Sequence, residues 1–387
     1  MVAQMFKFRL YPSAAQRKRL FSNFDACKSV YNNLLAFSKD TYKFGKISLT
    51  KFDYNNYLSG RYSGTHSQVV QNVSDRVHKA FANFFRRVKD KSCKKKGFPR
   101  YKRLIKSMTY PQSGFKFVSD KRLYVSKIGN IPIILHRLPK GKIKTLTIKG
   151  NRAGQWFACF SCELEYPTVK HTSKETIGLD VGLESFATLS DGSKIENPRF
   201  LINSEKRLKR LQRKLSRKKK GSANRRKARF RLAVQHIKVA NQRNDFLHKL
   251  SRTLTLKYAK IAIEDLNIKS MVHNHFLAKS ISDASWSVFI QMLSYKAVIC
   301  GGQIIKVNPR GTSKTCSQCG TVIDMPLGKR EFKCPSCGFV CHRDHNSALE
   351  IHGRAGLART CTPVDDCVRP SSRKATVCEA GTICDNV

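Results

Sequence analysis

Residues 4–11 (Gln-Met-Phe-Lys-Phe-Arg-Leu-Tyr) alternate apolar and polar positions with the period of two that marks a half-buried strand. Pro12-Ser13 then opens a helix, with Ser13 and Gln16 at the spacing of a capping box. Its apolar stripe, Leu20, Phe24, Cys27, Tyr31 and Leu34, recurs at helical spacing. The same periodicity predicts a second helix over roughly 66–91, with Val70, Val73, Val77, Phe81, Phe84 and Val88 on one face. Residues 108–166 return to short strands separated by glycine turns, among them Lys142–Lys149 and Gln155–Glu165. Strand, helices, then strands fit a β-barrel interrupted by a small helical insertion.

Near residue 175 the pattern changes. Thr176-Ile177-Gly178-Leu179-Asp180-Val181-Gly182 reads as a buried strand, followed by Phe186–Leu189, an Asp191-Gly192 turn and another strand. Residues 203–260 are helical, with Leu208, Leu211 and Leu215 forming one stripe and Ile237 and Ala240 belonging to another. Lys260-Ile261-Ala262-Ile263-Glu264 is again a buried strand, and a helix near 283–301 precedes the strand Gln303–Val307. Strand hairpin, helix, strand, helix, strand is the order of an α/β fold with a mixed sheet. After about residue 353 the chain becomes Ser/Arg/Pro/Gly-rich without periodicity, the pattern of a mobile tail. No internal repeat is visible.

A length of 387 residues implies two or three domains, and a hydrophobic fraction of 41% is enough to build their cores. Charge changes the picture more. With 74 Lys+Arg against 26 Asp+Glu, the formal net charge is +48, which repels itself unless a polyanion neutralises it. Nucleic acid is the polyanion to expect. A membrane is not, because no apolar run approaches the roughly 18 residues of a spanning helix. The N-terminus, MVAQMFKFRLYP, has no apolar core of a secretion signal, so a cytoplasmic protein is expected. Its 14 Cys then read as thiols or metal ligands before disulfides.

Four of them have ligand spacing. Cys316-Ser-Gln-Cys319-Gly320 and Cys334-Pro-Ser-Cys337-Gly338 are two knuckles separated by 14 residues, and four thiolates so arranged close a tetrahedral structural Zn²⁺ site. Cys341 and His342 lie nearby as bystanders. Cys159 and Cys162 share the spacing but sit in an apolar strand without a turn glycine, as packed thiols do. Carboxylates on buried strands are costly unless they hold a cation. Asp180 lies within one such strand, Glu264 ends another, and Asp344 opens a helix after the second knuckle. Singly, Asp180 could form a turn and Asp344 could cap a helix. Together, in a chain this basic, they suit Mg²⁺ ions that clamp the oxygens of a phosphodiester under hydrolysis. Asp265 reads as a cap or surface group. His273-Asn274-His275 spells a nuclease motif but lacks its hairpin-and-helix context. The stretch 203–231 holds 15 Lys/Arg and one acidic residue, Glu205, which is a phosphate-binding pattern. Candidate contacts there are Arg213, Lys214, Arg217, Lys218, Lys219, Lys220, Arg225 and Arg226. In the first half they are Arg86, Arg87, Lys94, Lys95, Lys96, Arg100 and Lys102.

These residues fall in an ordered set of motifs over about residues 4–350. The set runs Phe8-Arg9-Leu10-Tyr11-Pro12, Gly97-Phe98-Pro99-Arg100-Tyr101-Lys102, Thr109-Tyr110-Pro111-Gln112 and Gly178-Leu179-Asp180-Val181-Gly182. It continues through Leu215–Ser222, Asp245–Lys249, Glu264-Asp265-Leu266, Thr312-Ser313 and Arg343-Asp344-His345-Asn346. In these the chain resembles the TnpB (OrfB) family, transposon-encoded proteins related to type V CRISPR effectors. The resemblance implies an RNA-guided DNA endonuclease, expected as a monomer, whose partners are a noncoding guide RNA and double-stranded target DNA. It implies an α/β RuvC domain of RNase H-like fold at 173–311 and 342–353, with a zinc ribbon inserted at 312–341. A wedge-type β-barrel at 1–12 and 105–172 would precede it, carrying a helical recognition insertion at 13–104. Residues 354–387 remain as the tail. Asp180, Glu264 and Asp344 would be the catalytic carboxylates, holding two Mg²⁺ or Mn²⁺. Gln71 falls where the family places a glutamine that reads a short transposon-adjacent motif. Cys341-His342 departs from the family pattern, in which an acidic or polar residue is commoner. Two further readings are a guided DNA-binding regulator without cleavage and an accessory transposase. The intact triad favours the nuclease.

Overall fold

A computed structural model describes residues 2–357 apart from residues 46, 94–95, 165–169 and 327. Lys94, Lys95 and the expected tail from residue 358 onward lie outside the described residues. Strand β1 (Val2–Leu10) is followed by helices α1 (Ala14–Gly45), α2 (Lys51–Leu58) and α3 (Ser67–Lys89). Strands β2 (Ser107–Pro111), β3 (Phe115–Ser119), β4 (Arg122–Val125), β5 (Gly129–Ile134), β6 (Lys142–Gly150) and β7 (Trp156–Leu164) complete the first half. The alternation of β1 buries Phe6, Phe8 and Leu10 and leaves Met5 outside. The capping box forms as expected, Ser13 N donating to Gln16 Oε1 at 3.0 Å and Gln16 N to Ser13 Oγ at 3.2 Å. The α1 stripe from Leu20 to Leu34 is buried, and the helix continues to Gly45, well beyond that stripe. Helix α2 has no apolar periodicity strong enough to announce it. A Thr50–Asp53 capping box starts it, and Tyr54 and Leu58 fasten it to the core.

Among the described residues the strands of this half form one antiparallel sheet in the order β2-β6-β7-β1-β5-β4-β3. Strands β3 and β7 are four spacings apart, about 19 Å in a flat sheet. Yet Phe115 and Phe117 of β3 reach Phe160 of β7 with ring centroids 6.1 and 5.2 Å away, so the sheet curls over its own core. Among the described residues no ladder closes the expected barrel, and α3 lies over the β2 edge. Arg76 of α3 donates to the Ser107 carbonyl and the Thr109 hydroxyl, which satisfies a strand edge without another strand.

The second half contains β8 (Thr176–Val181), β9 (Ser185–Leu189), β10 (Lys194–Glu196), α4 (Phe200–Ser216) and α5 (Ala223–Lys257). It continues with β11 (Lys260–Glu264), α6 (Ile268–Met271), α7 (Ala278–Ala284), α8 (Trp286–Ile299) and β12 (Gln303–Val307). The last described elements are β13 (Glu331–Lys333), β14 (Val340–His342) and α9 (Arg343–Arg354). The sheet is the mixed α/β sheet expected, in the order β10-β9-β8-β11-β12, with β8, β11 and β12 parallel and the β8–β9–β10 meander antiparallel. Helices α4 and α5 form a long basic hairpin whose seam is Leu208, Leu232 and Val239, so Leu232 and Val239 lead the second stripe while Ile237 and Ala240 are half-buried. Buried Asp283 ties the hairpin down, accepting from the Leu201 amide at 2.9 Å and pairing with Arg243 at 2.6 Å. Residues 354–357, expected in the tail, are packed: Ala355 and Leu357 lie against Ala262, Val307 and Ile351. No helix among the described residues is long and apolar enough to cross a membrane.

Side chains alternate across β8 and β11. Ile177, Leu179, Ile261 and Ile263 enter the core beneath α5 and α8. Gly178 and Ala262 face α9, which packs so close that a Cβ on Gly178 would lie 2.2 Å from the Ala348 carbonyl oxygen. Gly178→Ala should therefore push α9 off the sheet and cost about 1–3 kcal/mol, the usual range for overpacking, read by denaturant unfolding.

Candidate active site and metal centre

The same alternation puts Asp180 two residues after Gly178 and Glu264 two after Ala262, both on the α9 side of the sheet. Parallel pairing matches Leu179 with Ile263, so the two carboxylates follow each other at the C-terminal ends of neighbouring strands. Helix α9 begins beside them and brings Asp344 in its first turn, where the helix dipole favours a negative charge. The helix N-cap is His342, whose Nδ1 accepts from the Asp344 amide at 3.2 Å, so Asp344 itself is free of the capping role. Three elements distant in sequence thus direct carboxylates to one place.

Their electrostatics confirm the convergence. The Asp180 carboxyl is held well above the ordinary range, first by burial, then by the negative charges of Glu264 and Asp344, with Arg343 opposing. Burial also raises Glu264, against which Thr312 donates a hydrogen bond to its Oε1 at 2.5 Å. Arg330 approaches Asp344 at 3.8 Å and pairs with Glu184 at 2.8 Å. The triad is less tightly drawn together than the cysteine cluster. Among the described residues only Cys316, Cys319, Cys334 and Cys337 bring their ligand atoms all within 4.8 Å of one another. A donor set of carboxylate oxygens whose central member is raised by burial and by its neighbours' negative charge fits a hard divalent cation, which would supply the missing positive charge.

The cysteine site fits zinc in its dimensions. Cys316 and Cys337 sulfurs are 3.7 Å apart and Cys319 and Cys334 sulfurs 3.5 Å apart, close to the S···S edge of about 3.8 Å that follows from Zn–S bonds of about 2.3 Å. Gly320 and Gly338 take φ of +75° and +73°, the left-handed conformation each knuckle needs to turn. Hydrogen bonding with the Thr321 hydroxyl and amide lowers the Cys319 thiol to about 6. Cys341 packs beside Phe332 instead, outside the cluster. Cys159 and Cys162 are buried in β7, as packed thiols should be. Asp265 pairs with Lys306 on the surface.

The basic candidates are distributed unevenly. Arg213, Lys214 and Arg217 line a groove on α4 with Lys206, Arg207, Lys209 and Arg210. Lys218, Lys219, Lys220 and Arg226 are exposed at the turn of the hairpin. Arg225 is committed internally, its guanidinium donating to the Leu215 and Lys218 carbonyls and closing that turn. Glu205, the acidic exception, is paired with Lys209 and Lys279. In the insertion Arg86, Lys96 and Arg100 are exposed, Arg87 donates to the Gly97 carbonyl, and Lys102 lies over the Tyr31 ring. Gln71 is exposed on a polar pocket with His66 and Lys127. Sequence reading missed one basic surface. Arg137, Lys140, Lys142 and Lys144 face Lys249, Arg252 and Lys296 across a cleft of about 1510 Å³ between the two halves. These side chains come from separate segments, so no run in the sequence marks them.

The fold is shared with compact guided effectors of known structure. It matches a Cas12f1–sgRNA–target DNA complex with a TM-score of 0.55 at 14% identity, over 90% of this chain and 98% of that one. It matches the mini-RNA-guided endonuclease CRISPR-Cas_phi3 with a TM-score of 0.52 at 10% identity, over 93% of each chain. Three family descriptions match in order: "Helix-turn-helix domain" at residues 1–46, "Probable transposase" at 159–275 and "Cas12f1-like, TNB domain" at 286–351. Despite the first description, β1 is followed here by one uninterrupted helix, α1. Over 385 residues the chain is 35% identical to a "Putative RNA-guided DNA endonuclease" of Streptomyces pristinaespiralis, covering 95% of this chain and 92% of the relative. Over 399 residues it is 30% identical to "Putative RNA-guided DNA endonuclease InsQ" of Escherichia coli (strain K12), covering 96% and 97%. The chain belongs to the TnpB (OrfB) family.

Two outcomes follow from the site. A folded-state carboxyl pKa above its unfolded value lowers stability as pH rises from the unfolded to the folded pKa. Asp180→Asn removes that penalty, so without magnesium its melting temperature at neutral pH should exceed that of the parent. The difference should shrink on acidification. Separately, Cys334→Ser should lower zinc below one ion per chain by metal analysis, whereas Cys341→Ser should leave it unchanged.

Proposed function

We propose that this chain is an RNA-guided DNA endonuclease in which Asp180, Glu264 and Asp344 form the catalytic centre of a RuvC-type, RNase H-like domain. The observation that supports the reading is the meeting of Asp180 and Glu264, at the ends of neighbouring parallel strands, with Asp344 in the first turn of α9, in a chain of net charge +48. The relatives' names point to the same activity. Two Mg²⁺, for which Mn²⁺ can substitute, would supply Lewis-acid stabilisation of the attacking and leaving oxygens of a phosphodiester. Asp180 holds the central position, and Glu264 and Asp344 hold the flanks. Arg330 stands at the rim beside Asp344, positioned to meet a backbone phosphate. The Cys316–Cys337 cluster holds one Zn²⁺ and fixes the ribbon from which α9 starts.

The rest of the chain binds nucleic acid. The curled sheet acts as the wedge unit and α1–α3 as the recognition insertion, with Gln71 facing the motif next to the target. The cleft exceeds the size of a small-molecule pocket and has basic residues on both walls, so it suits the guide RNA. Exposed Arg213, Lys214, Arg217, Lys218, Lys219, Lys220 and Arg226 extend that footprint along the α4–α5 hairpin, as do Arg86, Lys96 and Arg100 on the insertion. Lys94 and Lys95 belong to the same basic loop in sequence.

The test is a paired plasmid-cleavage and gel-shift assay on the complex with the RNA that copurifies with the protein, using a target matched to that guide. Asp180→Ala and Glu264→Ala should bind guide and target like the parent but lose at least 10²-fold in cleavage, the scale of removing one preorganised electrostatic contact. Normal cutting by Asp180→Ala would sink the active site. A parent protein that binds its matched target and never cuts would favour the regulator.

A further inference from the structure

The segment between β12 and the first knuckle touches Glu264, α9 and the cysteine cluster. Thr312, 4% exposed, donates through Oγ1 to Glu264 Oε1. Four residues on, Cys316 enters the cysteine cluster. Across the segment lies α9. Asn346, fully buried two residues after Asp344, accepts from the Ser317 amide at 3.0 Å and donates to the Thr315 carbonyl at 2.7 Å. At the far end of α9, Arg354 donates to the Asn308 and Arg310 carbonyls at 3.0 and 2.7 Å and is itself paired with Glu350. Residues 308–317 are thus pinned to α9 at two points and to Glu264 at a third.

We propose that Thr312 and Asn346 are positioning residues that make the cysteine cluster a brace for the active site, Thr312 orienting Glu264 and Asn346 setting the start of α9 and hence Asp344. The inference rests on the carboxylate reading above. The physical reason is that a carboxylate on a free χ rotor presents its oxygens to a cation only part of the time. A hydroxyl bonded to one oxygen fixes the plane and leaves the second oxygen outward. Asn346 acts on the other carboxylate through the backbone, because its amide spans both a donor and an acceptor of the knuckle's root. Such outer partners of a metal ligand typically change metal affinity or activity by about 10–100-fold when removed. A purely structural role would act through folding, zinc content or guide binding instead.

Thr312→Val keeps shape and burial and removes the hydroxyl, while Thr312→Ser restores it. Both are compared with Asn346→Ala and Glu264→Ala in the full-length protein with its copurified RNA. Single-turnover cleavage is measured against Mg²⁺ concentration. In parallel, Fe²⁺ with ascorbate and peroxide maps where a bound ion cuts the polypeptide, a readout that needs no DNA cleavage. Thr312→Val and Asn346→Ala should lose about 10–100-fold in rate at subsaturating Mg²⁺ and need more Fe²⁺ to cut near Glu264 and Asp344. Guide, target and zinc binding should be unchanged, and Thr312→Ser should recover most of the loss. If Glu264→Ala is inert while Thr312→Val cleaves and binds iron like the parent, the brace is refuted and the active site stands. If Glu264→Ala cleaves normally, the carboxylate reading falls and the brace with it. A Thr312→Val protein that loses zinc or guide RNA assigns Thr312 to the fold and also overturns the proposal.

Discussion

Two carboxylates on the α9 side of one sheet meet a third at the start of α9, and holding them together is the constraint that the second half of the chain is organised around. Burial first, and then the negative charges of Glu264 and Asp344, raise the proton affinity of Asp180. The arrangement persists because each carboxylate belongs to an element anchored elsewhere. Asp180 and Glu264 ride on strands whose opposite faces are locked into the core under α5 and α8. Asp344 rides on a helix that reaches the sheet only because Gly178, Ala262 and Ala348 are small. Moving any of the three would require opening one of those contacts.

The cysteine ribbon is inserted between β12 and α9, immediately before the third carboxylate. Its own apolar core is small, Met325 and Phe332 with the cysteines, so hydrophobic burial alone contributes little to its order. Ligation of four sulfurs would order it strongly, which suits a module that must present the start of α9 at a fixed angle. Thr312, Asn346 and Arg354 connect this module to the sheet by directional hydrogen bonds, interactions that specify geometry rather than bulk stability.

Positive charge is spread differently from the chemistry. The α4–α5 hairpin carries its basic residues on long exposed surfaces and is held to α7 by an ion pair, Arg243–Asp283, at its base. The interdomain cleft gathers lysines and arginines from β6, α5, α8 and the segment after β5. Both are surfaces on which phosphates can be neutralised at many points. The insertion adds aromatic–basic contacts such as Lys39 over Tyr101 and Phe98.

Periodicity and spacing determined a good deal. Alternation in β1, the stripe of α1, the strand–helix order of the second half and the two cysteine knuckles are local patterns whose physical cause lies within a few residues. Asp180 and Glu264 stood out because a charge in an apolar strand is locally anomalous. Other features depended on partners far along the chain. The β2 edge of the first sheet meets α3, whose Arg76 bonds to Ser107 and Thr109, a contact no local pattern announces. The extent of α1 and the existence of α2 came from packing and capping, not from a strong apolar stripe. Arg225 reads like its basic neighbours in sequence, yet a turn 10 residues away takes its guanidinium. Thr312 and Asn346 carry no local signal of their roles, since a hydroxyl or an amide gains meaning only from the atoms opposite it. Short-range physics is written in the sequence as pattern. The contacts of Thr312 with Glu264, Asn346 with Ser317 and Gly178 with Ala348 exist only after distant segments have met, because each is set by the position of one backbone against another.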